Sequence, residues 1–302
     1  MLLTHDPPCL LYFDDEADAA LRLAHAAGLG PAAIDRHRFP DGELKLRLPP
    51  ALPERVVLLR TLAQPNEKLV ELLLAARTAR ELGARHLTLV APYLAYMRQD
   101  TAFLPGEAVS QRIVGHFLAS LFDAVITVDP HLHRIAALQD AVPVRQAIVL
   151  SGAPLLGDWI AQRRPRPFLM GPDSESAQWV AQAAARHGLD HAVCQKVRHG
   201  DKAVDMVLPS VDIQGRAVVL LDDVASSGHT VARAAQLLRA AGAASVDVAV
   251  THALFAGDAL QVIRDAGVAE VWSTDSIAHP SNAVSVAPAM AQALHRLWDG
   301  PA

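Results

Sequence analysis

Cysteine is nearly missing from this 302-residue chain, basic residues fall short of acidic ones, and no long apolar run occurs. Each scarcity removes a class of protein. Cys9 and Cys194 make neither a CxxC zinc knuckle nor a disulfide framework, which fits a reducing cytoplasm. A formal net charge of −5 argues against a nucleic-acid or anionic-membrane binder. The segment Leu69–Ala76 is broken by Glu71 and followed by Arg77, so no membrane span of about 18 residues is expected. The first twenty residues lack a basic start and turn acidic at Asp14-Asp15-Glu16, unlike a signal peptide. There is no Walker A sequence, no GxGxxG fingerprint and no GxSxG elbow.

What is present is a large apolar fraction, 51%, against 20% charged residues, enough for two ordinary domains. Strand-like runs alternate with helical periodicity: Leu10–Phe13, Arg55–Leu59, His86–Ala91, Ala124–Val128, Phe168–Met170 and His191–Gln195 against Ala17–Ala27, Asn66–Leu82, Ser110–Leu121, Ser151–Ala161 and Ser176–His187. That alternation predicts an α/β architecture with mainly parallel sheets flanked by helices, whose ligands gather at the carboxyl ends of strands.

The most informative stretch is Arg216–Ala235. An apolar strand over Ala217–Leu221 is expected to stop at the paired carboxylates Asp222 and Asp223. A turn of small and hydroxyl residues, Ser226-Ser227-Gly228, leads through His229 and Thr230 into an alanine-rich helix. Backbone N–H groups at a helix N-terminus favour a phosphate, and carboxylates accept hydrogen bonds from a vicinal diol. Strand, acids, turn and helix together suit a sugar phosphate. The span Arg55–Leu94 repeats the plan of Arg216–Phe255, with Thr61–Asn66 standing where the second copy has its acids and hydroxyls. A duplicated α/β domain is expected, with a boundary near 147–152. His131 and His133 lack a third ligand at zinc spacing and read more readily as structural than as a zinc pair.

Several motifs, in order along nearly the whole chain, resemble the ribose-phosphate pyrophosphokinase (phosphoribosyl pyrophosphate synthase) family, as a divergent or archaeal-type-like member, since Ser226 stands where the best-known bacterial and mammalian synthases carry an acid. They are Phe39-Pro40-Asp41-Gly42-Glu43, Asn66-Glu67, Arg98-Gln99-Asp100, Pro105-Gly106-Glu107, Asp129-Pro130-His131, Gly171-Pro172-Asp173, Lys196-Val197-Arg198, Asp222–Thr230, Thr251-His252 and Ser285-Val286-Ala287-Pro288. The resemblance implies two tandem type I phosphoribosyltransferase-like domains, 1–149 and 150–302, with a last helix, about 285–302, available to pack on the N-terminal one.

It also implies transfer of the β,γ-diphosphoryl group of ATP to the 1-hydroxyl of ribose 5-phosphate, with Mg²⁺, giving phosphoribosyl pyrophosphate and AMP. Lys196 and Arg198 would be the catalytic cations, on a segment through Lys202 expected to act as a mobile lid. Phe39, Asp41, Glu43, Arg98, Gln99 and Asp100 would bind ATP. Asp222, Asp223, Ser226, Ser227, Gly228, His229 and Thr230 would hold ribose 5-phosphate, and His131 and Asp173 would address the metal. The family pattern implies a cytoplasmic homo-oligomer, a dimer or a multiple of dimers, with the ATP site near a subunit interface. His229 stands where glycine is common in the family, which predicts backbone strain if that position needs a positive φ. Alternatives are a type I phosphoribosyltransferase that consumes phosphoribosyl pyrophosphate, and a non-catalytic regulatory subunit of such a synthase.

Overall fold

The computed structural model describes residues 7–132, 134–199 and 203–299, with the backbone alone at 196–199 and 203–204. Two compact units divide the chain: residues 1–150 with 287–302, and residues 151–286.

The first unit begins β1 (Cys9–Phe13), α1 (Ala17–Ala27), β2 (Gly30–Arg38), β3 (Leu44–Arg47) and β4 (Arg55–Leu59). It continues α2 (Pro65–Glu81), β5 (His86–Ala91), α3 (Ser110–Ala119), β6 (Ala124–Val128), α4 (Leu138–Ala141) and β7 (Gln146–Leu150). Its seven strands lie in the order β3-β2-β1-β4-β5-β6-β7, and all neighbours are parallel except β2 with β3. β4, β5 and β6 are dominated by Val, Leu, Ile and Ala, with Thr88 and Thr127 the polar residues inside them. Past the exposed Arg55 and His86 at their starts they are buried, as suits strands covered on both sheet faces.

The second unit contains α5 (Ala153–Arg163), β8 (Phe168–Gly171), α6 (Ala177–Ala185), β9 (His191–Val193), β10 (Gln195–His199) and β11 (Ala203–Val207). After these come β12 (Ala217–Ala225), α7 (His229–Ala240), β13 (Ser245–Ala253), α8 (Ala259–Asp265), β14 (Val271–Thr274) and β15 (Asn282–Val284). Six strands form a wholly parallel sheet, β15-β14-β13-β12-β8-β9, while β10 and β11 make a separate antiparallel pair. The last helix, α9 (Ala287–Asp299), belongs to the first unit, where it packs along α1 and His295 Nε2 lies 3.1 Å from the Ala27 carbonyl.

In each sheet the first strand, β1 or β8, is followed on one side by its next neighbour (β2 or β9) and on the other by a later one (β4 or β12). Strand order therefore reverses between β1 and β4, and between β8 and β12. A doubly wound sheet leaves its ligand crevice at that place, beyond the carboxyl ends of the strands.

Candidate active site

In the second unit the crevice is made by the ends of β8 and β12. β12 does not stop at the acidic pair. It runs through Asp222 and Asp223 to Ala225, and Asp222, Val224 and Ala225 keep regular parallel register with Val250, His252 and Ala253 of β13. The strand extends because β13 is equally long and offers partners to the end. Asp223 is 2% exposed, whereas Asp222 is partly exposed. Burial, then the charge of Asp223, then that of Asp173 push the Asp222 carboxyl well above the usual range. Three carboxylates thus share one strand-end neighbourhood, and Asp222 bears the cost.

Asp173 ends the β8 side. Its Oδ1 accepts the Glu175 N–H at 3.0 Å, and its carbonyl accepts the Ser176 hydroxyl at 2.6 Å, so the Asp-Ser-Glu-Ser sequence forms a tight 3-10 turn. Close approach is needed here, since a Cβ on Gly171 would lie 2.1 Å from Ser176 Oγ. Buried Cys194 stands near enough that burial and then the Asp173 charge raise its thiol to about 11, which leaves it inert as a nucleophile.

The hydroxyl turn follows β12. Its strand side is tied to the segment after β13, with Phe255 and Ala256 N–H groups donating to the carbonyls of Ala225 and Ser226 at 2.9 Å each. Gly228 takes φ +77 at the N-cap of α7, and no side chain caps that helix end. A Cβ on Gly228 would meet the Ala259 carbonyl oxygen at 2.9 Å. His229 and Thr230 are exposed in the first turn, whose N–H groups have no partners one turn back. The strain expected at His229 is absent: the left-handed residue is Gly228, and His229 is the first residue of the helix.

Lys196 and Arg198 fall on β10, in register with Met206 and Val204 of β11. The segment read as a lid is thus the first arm of an antiparallel pair. The side chains of Lys196 and Arg198 lie outside the described residues, as do Gly200, Asp201 and Lys202.

In the first unit, Phe39–Glu43 is the turn between β2 and β3. The Phe39 N–H donates to the Glu43 carbonyl at 2.8 Å, and the Glu43 N–H to Asp41 Oδ1 at 3.2 Å. Phe39 is 39% exposed, an aromatic ring held out on a rigid turn with His37 edge-on at 4.8 Å. Asp41 and Glu43 are exposed beside it. Arg98 is exposed past the end of β5, and Gln99 is half-buried, its Nε2 3.5 Å from Glu107 Oε2. The Asp100 side chain is only 2% exposed and already receives Arg134 Nη1 at 2.6 Å. The motif counts Asp100 among the ATP-binding residues, and in the structure its carboxylate faces Arg134. His131 follows β6 by way of Asp129, which is buried at φ +35 with its N–H on the Leu150 carbonyl at 2.9 Å. His133 lies outside the described residues. Among the described residues, no three His, Cys, Asp or Glu side chains form a ready metal cluster, and no helix is long and apolar enough to cross a membrane.

Residues 9–121 match the model of the N-terminal domain of ribose phosphate pyrophosphokinase, and 146–292 match the phosphoribosyl transferase domain. The ribose-phosphate pyrophosphokinase of Methanopyrus kandleri is 36% identical over 279 residues, 91% of this chain and 94% of that protein. This chain is an enzyme of the ribose-phosphate pyrophosphokinase family. Another relative of the same name, from Methanosarcina acetivorans, is 35% identical over 92% of this chain and 96% of its own length. The crystal structure of phosphoribosylpyrophosphate synthetase from Mycobacterium smegmatis superposes with a TM-score of 0.82 over 98% of this chain and all of that one, at 23% identity. The fold is therefore two tandem phosphoribosyltransferase-type α/β units, as the motifs implied.

Within this family member, sequence reading passed over the groups that brace the crevice. His252 named only a motif, yet it is buried with Nδ1 2.9 Å from Ser276 Oγ, and Ser276 and Thr274 hydroxyls both donate to the Thr251 carbonyl. These partners sit more than twenty residues apart in sequence, so no local pattern joins them. Arg134 was missed for the same reason.

Proposed function

We propose that this enzyme transfers the β,γ-diphosphoryl group of ATP to the 1-hydroxyl of ribose 5-phosphate, giving phosphoribosyl pyrophosphate and AMP. The observation that carries the reading is the strand end of β12: Asp222 and Asp223 beside an uncapped α7 N-terminus, in a chain that also has the pyrophosphokinase N-terminal domain. A transferase consuming phosphoribosyl pyrophosphate needs only the first of those features.

The α7 N-terminus and the Ser226-Ser227-Gly228-His229-Thr230 turn bind the 5-phosphate, and Asp222 and Asp223 accept from the ribose hydroxyls. The exposed Phe39 ring stacks on adenine, with Asp41 and Glu43 taking its hydrogen bonds and Arg98 and Gln99 on the nucleotide. The ribose 1-hydroxyl oxygen bonds the β-phosphorus while the bond from that phosphorus to the α,β-bridging oxygen breaks. AMP departs with that oxygen, and the hydroxyl proton passes to solvent. Lys196 and Arg198 stabilise the charge that spreads over the transferring oxygens.

The carboxylates fit Mg²⁺, because burial and mutual repulsion already strain Asp222 in a way that a nearby divalent cation would relieve. Asp173 would hold it beside the acidic pair, largely through water and phosphate, and His131 keeps in the first unit the metal role its motif implies. Bound there, Mg²⁺ would supply charge neutralisation to the diphosphate. An adenine turn this exposed also suits a homo-oligomer in which a neighbouring subunit completes the ATP site, in the cytoplasm.

Purified protein supplied with ATP, Mg²⁺ and ribose 5-phosphate should yield AMP and phosphoribosyl pyrophosphate in equal amounts; ADP in place of AMP would refute the diphosphoryl step. Lys196→Ala should fold normally and slow turnover by roughly 10²–10³-fold, the scale for losing one transition-state donor.

A further inference from the structure

We propose that Arg134 and Asp100 form a latch between the loops that follow β5 and β6, and that Asp100 serves nucleotide binding as a positioning residue. The inference rests on the ATP reading of Arg98 and Gln99 given above. Those two residues immediately precede Asp100 on the β5 loop, and Arg134 lies three residues past His131 on the β6 loop. β5 and β6 are parallel neighbours, so their carboxyl-end loops emerge side by side but diverge in sequence, with α3 between them.

Arg134 grips the β5 loop at two points. Its Nη1 donates to Asp100 Oδ1 at 2.6 Å, and its guanidinium lies 5.9 Å from the centre of the exposed Phe103 ring. The rest of that loop is braced from within. Glu107 Oε2 accepts the Phe103 N–H at 2.8 Å, the Gln111 N–H donates to the Gln99 carbonyl at 3.2 Å, and Gln111 Nε2 donates to the Met97 carbonyl at 2.9 Å. A loop braced in this way moves as one piece, and the Arg134 contact sets where that piece stands against the β6 loop.

The pair is also asymmetric. The Asp100 side chain is 2% exposed, and its Oδ2 has no hydrogen-bond partner among the described residues, whereas the Arg134 side chain is 61% exposed. Removing Arg134 strands a buried carboxylate, while removing Asp100 merely returns a solvated cation to water. The loop can meet the first loss only by turning Asp100 out toward solvent, which carries Arg98 and Gln99 with it.

Steady-state kinetics of the full-length enzyme test this, together with hydrogen exchange over residues 98–109. Arg134→Ala should raise KM for ATP about ten-fold with kcat and KM for ribose 5-phosphate little changed, and should speed exchange in that segment. Arg134→Lys should recover part of the loss. Asp100→Asn combined with Arg134→Ala should bind ATP better than Arg134→Ala alone, because the stranded charge is gone. Unchanged KM for ATP and unchanged exchange in Arg134→Ala would overturn the latch, as would a double variant worse than the single. If the wild-type enzyme uses no ATP, the nucleotide reading fails, and the exchange experiment still decides whether Arg134 holds the loop.

Discussion

The strand-order reversal between β1 and β4 and the one between β8 and β12 occupy equivalent places, and they are filled by opposite charges. β1 and β8 begin at Cys9 and Phe168, which pair with Val56 and Val218; four residues further on stand Arg60 and Asp222. Five residues past the same starting points stand Asp14 and Asp173. The two units therefore match in the first strand and its acidic end, and differ in the sign of the residue that faces it. Aligning the repeats on Arg55 and Arg216 puts Thr61 against Asp222; the pairing shifts that by one residue and sets Arg60 there instead. A one-residue shift matters, because it exchanges the two faces of a strand.

Arg60 is 1% exposed and is enclosed by carboxylates. Its Nη1 is 2.9 Å from both oxygens of Asp15 and 3.4 Å from Glu16, and its Nη2 pairs with buried Glu71. Arg36 joins from β2, 2.5 Å from Glu71 and 3.0 Å from Asp14, and the Arg60 guanidinium lies 4.6 Å from the Phe13 ring centre. Glu16 also accepts the Thr61 N–H at 3.0 Å. Burial pushes the Glu16 carboxyl up, while Arg60 and its neighbours outweigh burial to hold Asp15 below its usual range. The first unit has built its own cation into the crevice. In the second unit the matching place holds a third carboxylate beside Asp173 and Asp223. One sheet design thus yields a crevice neutralised from within in one unit and an acidic crevice in the other, according to the sign of one side chain.

Arg60→Ala should break this contrast most severely. It leaves Asp15, Glu16 and Glu71 without their shared partner, and a loss of about 3–5 kcal/mol in chemical denaturation is expected. Gly228→Ala comes next. The methyl group would sit against the Ala259 carbonyl at a positive φ, so about 1–3 kcal/mol should be lost along with most activity.

Asp222→Asn should move stability the other way. Its folded carboxyl binds a proton more tightly than in the unfolded chain, so the wild type loses stability as pH rises from the ordinary carboxylate range through the raised value. The asparagine variant should lack that decline and melt slightly higher at neutral pH, although inactive; a lower melting temperature would mean Asp222 is structural. The smallest effect belongs to the first unit's helix start. Gln64 holds φ +53 at the N-cap of α2, as Gly228 does at α7. Gln64→Gly should therefore gain less than about 1 kcal/mol in the same denaturation experiment.

Much of the fold was legible because parallel strands buried on both faces read as continuous apolar runs. Arg55–Leu59, His86–Ala91 and Ala124–Val128 coincide with β4, β5 and β6, and the α1 boundary at Gly28 follows from its left-handed φ of 67°. β2 was missed: Gly30–Arg38 carries a proline and four charged or histidine residues, and its outer half pairs only with the edge strand β3. β10 was missed because its polar sequence, QKVRH, resembles a loop; β11, AVDMV, is a short apolar run, and each needs the other as its partner to become a strand.

The sequence by itself determined the alternation of strands and helices, the turn that must carry Gly228, and the motifs that join this chain to its family, since each depends on residues close together in the chain. Only the tertiary structure decided that Arg60 takes the place in its sheet that Asp222 takes in the other, that β12 runs on through its acids, and that Asp100 belongs to Arg134. Those outcomes depend on strand register and on charges brought together across many residues, where burial makes the sign of a single partner decisive.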